Sequence, residues 1–147
     1  MILLDIVLAL HLLAAVLWVG GLAFAAVVLW PGVSVLEPGP RLALHAKVFR
    51  RFFLLVWHAM PIILLSGYAM LFGWLGGFAG VNGAVHVMHL LGLLMSGIFL
   101  WVFFGPWRAM RAATSDAART AAVNRVTSLL RVSLGIGLFT VILGAFA

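Results

Sequence analysis

Four long apolar runs constrain this chain more than any other feature. They extend from about Ile2 to Trp30, Phe52 to Leu75, Val85 to Trp107 and Val126 to Ala147. Each is longer than the ~20 residues that a helix needs to cross a bilayer. They do not alternate polar and apolar residues as barrel strands do. Backbone groups in lipid must be satisfied internally, so helices are the remaining solution. Composition agrees: 66% of residues are hydrophobic and 8% charged, against roughly 25% charged in a soluble domain. A water-soluble fold and intrinsic disorder are both excluded. The expectation is an all-α, integral membrane four-helix bundle forming one domain over residues 1–147.

The first run has no basic n-region and is far longer than the ~7–15 apolar residues of a signal-peptide core, so it reads as a mature helix. Between the first two runs, Glu37-Pro38-Gly39-Pro40 is a turn signal. The segment from about 41 to 51 interleaves Leu42, Leu44 and Val48 with Arg41, His45 and Lys47. It reads as an interfacial helix or as an N-terminal extension of helix 2. Thr114 or Ser115 is placed to cap helix 4.

The chain has nine Lys and Arg against three acids. Eight of the nine fall on the first and third connections, Arg131 lies inside the fourth run, and the second connection has none. The positive-inside rule then puts two basic loops in the cytoplasm and both termini outside, in a multi-pass protein of a bacterial-type inner membrane. The excess of positive charge reports topology and does not point to nucleic acid. With no cysteine, disulfides, thiolate chemistry and covalently attached haem are excluded.

The five histidines are the chemically informative residues. Ionisable side chains inside spans are costly and face the bundle interior as a rule. His11 lies roughly 28 Å above Trp30, and His86 and His89 roughly 31 and 27 Å above Trp107, at 1.5 Å per residue. His86 and His89, three apart, share a face. His58 lies roughly 10 Å above Arg51, deeper than His11 by roughly 10–18 Å. Two imidazoles at one depth on different helices suit a bis-histidine b-type haem. On this reading His11 pairs with His89 or His86, and His58 serves a second haem, with His45 as its inner partner or as a solvated interfacial residue. Arg50, Arg51 and Arg131 would meet propionates, and Trp18 and Trp57 would wall the pocket. Trp30, Trp74 and Trp107 read as interface anchors, and Pro61 is expected to kink helix 2. Gly20, Gly21, Gly92, Gly97, Gly135, Gly137 and Gly144 are candidates for close helix approach. His86-x-Met88-His89, with Met60 and Met95 nearby, is also a set of soft donors suited to copper.

The run His11-Leu-Leu-Ala-Ala-Val-Leu-Trp18-Val-Gly20-Gly21, with Arg50-Arg51-Phe52 and Ser66-Gly67, resembles two kinds of small membrane protein. These are the copper-resistance CopD type and the HemJ-type protoporphyrinogen oxidases. The HemJ resemblance implies haem b on His11 and a Lys early in helix 3, where this chain has Val85-His86-Val87-Met88-His89. The CopD resemblance implies copper uptake or tolerance. Three functions follow as expectations. The first is a haem b protein, with one or two haems, in electron transfer or as a haem-dependent oxidoreductase exchanging electrons with quinone or another redox partner. The second is a copper transport or tolerance protein. The third is a cofactor-free structural or assembly subunit. Membrane lipids are expected partners in each case, and self-association is left open.

Overall fold

The computed structural model describes residues 1–147 and contains helices and turns without a strand. Helix α1, Ile2–Phe24, passes through a π-helical turn, Ala25–Leu29, into the short α2, Trp30–Val33. Together they form a 32-residue span. Helix α3, Pro38–Gly73, opens with proline in its first turn, where the missing N–H is no loss. It continues through Pro61. Its 36 residues reach about 54 Å, well beyond a ~30 Å hydrocarbon core. The surplus is its basic first third. Residues 41–51 are therefore an extension of this helix and not a separate element.

Gly76 and Gly77, at φ 75° and 74°, reverse the chain in a conformation that side-chain-bearing residues rarely adopt. A 3₁₀ turn, Phe78–Gly80, follows. Helix α4, Gly83–Phe104, is capped by Asn82 Oδ1, which accepts from the Val85 N–H at 3.2 Å. Pro106, with no N–H to donate, separates α4 from α5, Pro106–Ala112. Helix α6, Asp116–Leu143, is capped by Ser115, whose Oγ accepts from the Ala118 N–H at 3.2 Å. The third basic connection is thus largely helical. Asn82 Nδ2 donates to the carbonyl of Phe146 at 2.8 Å. That bond ties the end of the chain to the α3–α4 turn.

Four helices are long and apolar enough to cross a membrane, and no span has more than 28% of its most apolar stretch buried. The remaining faces are lined with Leu, Val, Ile and Phe, such as Leu65 at 71% exposure and Val27 at 69%. Such a surface is stable only against lipid. Helix α1 lies along α3 and α4 along α6, and α1 also meets α6. Between α3 and α4 the contact is an aromatic layer. Phe99 meets Trp18, Phe53, Trp57 and Phe103 at centroid distances of 5.4–6.2 Å. Phe53 in turn meets Trp107 at 5.4 Å.

Glycine placement is selective. A Cβ on Gly137 would come 2.9 Å from Val19 and 3.2 Å from Met95, and one on Gly21 3.0 Å from Phe52. Gly20, Gly92, Gly97 and Gly135 have nothing within 4 Å, so they are not approach points. Two of the expected interface tryptophans are corrected as well. Trp30 and Trp107 are buried in the core, whereas Trp101 is 65% exposed. Depth along a helix does not set which way a side chain faces.

Candidate functional site

The basic residues occupy one end of the bundle, on the first part of α3, on α5 and on α6 as far as Arg131. The opposite end carries the α3–α4 turn and three of the five histidines. There Phe78, on the 3₁₀ turn, stacks on His86 (5.9 Å, 16°) and meets His89 edge-on (5.3 Å, 74°). Both imidazoles, one turn apart on α4, therefore gather at a single ring. His86 is exposed and His89 half-buried. Tyr68 on α3 reaches His89 Nε2 through its hydroxyl at 3.1 Å. When Nε2–H donates to the Tyr68 oxygen, Nδ1 of His89 keeps its lone pair. A metal-ligating histidine is usually held this way, by a partner on its other ring nitrogen.

Deeper in the bundle, His11 Nδ1 lies 2.9 Å from Ser66 Oγ. The Ser66 hydroxyl also donates within α3, to the Ile62 carbonyl. With its one proton used there, Ser66 accepts from His11 Nδ1–H, and His11 Nε2 is left with a free lone pair. Gly67 makes the approach feasible, because a Cβ there would lie 3.3 Å from His11 Cε1. Met95, Ser96 and Ser133 are buried further in. Beyond them the aromatic layer around Phe99 fills the bundle.

Several of the sequence expectations for this site are corrected. His11 and His89 do not face each other: their partners, Ser66 and Tyr68, leave α3 on sides roughly 160° apart. His58 is exposed on the outside of α3, with Nδ1–H donating to the Leu54 carbonyl of its own helix at 2.8 Å. Counted from Ser66, it is about 12 Å nearer the basic end than His11. His45 cannot share a haem with His58, since both stand on one continuous helix, thirteen residues apart. It is buried against Phe49 at 5.4 Å and is not a solvated residue. Arg50 and Arg51 are exposed at the basic end. Arg131 lies over the Trp30 ring at 5.3 Å, a cation–π contact. Trp18 and Trp57 pack edge-on against Phe99 and so fill the core. The contacts of these residues thus lie at separate places in the bundle, and none of them joins two of the expected haem ligands on different helices.

The copper donor set changes too. Met88 lies about 100° from His89 around α4. Its methyl turns toward Gly144, 3.7 Å from where a Cβ there would sit. The pair His86 and His89 stands without it. No three His, Asp or Glu side chains converge to hold a metal ion anywhere in the chain. Tyr68 and Phe78 were not singled out from the sequence. The one available signal for Tyr68 is that it is the chain's single tyrosine and sits within an apolar helix.

The family of copper resistance protein D, CopD, matches residues 46–147, well over half of the chain. The match takes in Tyr68, Phe78, His86 and His89, and leaves out His11. No curated protein and no solved structure matches the chain. The likeness seen in Arg50-Arg51-Phe52 and Ser66-Gly67 is therefore a true one: this four-helix chain belongs to the CopD copper-resistance family.

Proposed function

We propose that the chain handles copper, in tolerance or uptake, and that His86 and His89 receive the ion at the end of the bundle away from the basic residues. Membership of the copper-resistance family carries this reading. Imidazole is a good donor to copper. Two imidazoles gathered at Phe78, with Tyr68 orienting one of them, form an open pair and not a closed resident site. That suits a cargo, which must bind firmly enough to be taken up and weakly enough to leave. His11, with Nε2 free, is the next imidazole inward.

The excess of Lys and Arg at the opposite end supports a cytoplasmic placement for that end. His86 and His89 then open to the outer face of a bacterial-type inner membrane. The chain has no cysteine of its own, so single cysteines placed at Gly83 and Ala112 would report the two faces by their labelling.

The test is copper tolerance and cell-associated copper in a copper-sensitive host making the full chain. The His86→Ala/His89→Ala double variant should lose the effect, and His58→Ala should keep it. Purified protein should bind copper and show no Soret band. A haem spectrum with stoichiometric iron, or a double variant equal to the wild type, would refute the reading.

A further inference from the structure

A second site stands at the other end of the molecule, in a groove of about 780 Å³ between the α4–α5 junction and α6. Its walls differ in character. Asn124, Arg125 and Ser128 line it from the first half of α6, and Trp101, Pro106 and Leu129 supply apolar surface. The chain's one ion pair joins Arg119 to Asp116 at 3.9 Å, so the Arg125 charge has no acidic partner. Asn124 and Ser128, four apart, present their polar groups on the same face, and no protein group engages them. Arg108 and Arg111 on α5 add two further cations at this end.

The groove is ordered along the bundle axis. Asn124 and Arg125 lie nearest the basic end. Leu129 and Trp101 lie further in, Leu129 about 6 Å beyond Arg125 along α6 and Trp101 on α4 ahead of the break at Gly105. The apolar wall then runs onto lipid-facing surface, with Trp101 65%, Phe104 56% and Val132 54% exposed. A positive, donor-rich mouth at headgroup level, continuous with an apolar wall toward the bilayer centre, complements one kind of molecule. It needs an anionic head and a hydrocarbon tail. We propose that this groove binds an anionic phospholipid, its phosphate held by Arg125, Asn124 and Ser128 and an acyl chain lying along Trp101 and Leu129. Basic pockets between membrane helices recognise charged headgroups in this manner.

The experiment places the full chain in phosphatidylcholine nanodiscs doped with phosphatidylglycerol brominated on its acyl chains. Quenching of Trp101 is read as the difference between wild type and Trp101→Phe. Brominated phosphatidylglycerol should reach half-quenching at about one-fifth of the mole fraction that brominated phosphatidylcholine needs, the preference that one basic residue supplies at a membrane surface. Arg125→Gln should remove the preference, and Arg125→Lys, which keeps the charge, should retain most of it. Equal quenching by the two lipids, or a preference unchanged in Arg125→Gln, would overturn the proposal. Loss of the preference in inorganic phosphate but not in sodium chloride of equal ionic strength, which screens alike, would also overturn it, because the site would then be one for free phosphate.

Discussion

Replacing Gly137 with alanine tests how the bundle is held together. In lipid, helices gain little from burying apolar surface against one another, so close packing at small residues carries the association. A Cβ on Gly137 would come 2.9 Å from Val19 Cγ2 and 3.2 Å from Met95 Cε. Both are well inside ordinary van der Waals contact. The Met95 methyl ends a flexible chain and can move aside. Val19 is β-branched, with essentially one χ1 rotamer available in a helix. Relief at Val19 therefore requires α1 to shift away from α6, an overpacking strain of about 1–3 kcal/mol. Gly135, two residues earlier in the same helix, has nothing within 4 Å. Alanine there brings only the helix-propensity gain, up to ~1 kcal/mol. Both substitutions share that gain, so the difference between them isolates the packing term. Gly137→Ala should be less stable than Gly135→Ala by about 1–3 kcal/mol, measured by reversible unfolding in mixed detergent micelles. Val19→Ala should relieve Gly137→Ala in a double-mutant cycle. Two alanine variants of equal stability, or no coupling to Val19, would refute the assigned α1–α6 contact.

Tyr68→Phe keeps the ring and removes the hydroxyl that orients His89. Copper affinity should fall roughly 10–100-fold with the helical circular dichroism unchanged, as checked by competition with a copper chelator. His58→Ala, at an exposed residue bonded to its own helix, should leave copper affinity intact and alter stability by no more than about 0.5 kcal/mol. Ser115→Ala removes the acceptor for the Ala118 N–H. It should lower stability by about 1 kcal/mol, with faster amide exchange in the first turn of α6.

The candidate site was partly legible in advance. The i, i+3 spacing of His86 and His89 put them on one face before any fold was known, and their depth matched that of His11. Depth could not reveal that α3 stands between His11 and His89, or that His58 looks outward. Helix α1 shows why. Its buried residues, Ala14, Trp18 and Leu22, form a stripe four residues apart, yet the residues around them are as apolar as the stripe itself. In water the polar face of a helix marks its exposed side. In lipid both sides are hydrophobic, and periodicity loses that information.

Sequence by itself determined the class and the polarity of this protein. Each apolar run must close its backbone hydrogen bonds internally, so four helices follow. The nine Lys and Arg mark one end of the bundle. Only the tertiary structure decided which side chains meet. It placed Tyr68 on His89, Ser66 on His11 and Phe78 between two imidazoles, and it turned His58 and Trp101 outward. Those choices rest on the rotation of each helix about its own axis. In a membrane, close packing at residues such as Gly137 and Gly67 sets that rotation, and a hydrophobic pattern that a reader could follow along the chain does not.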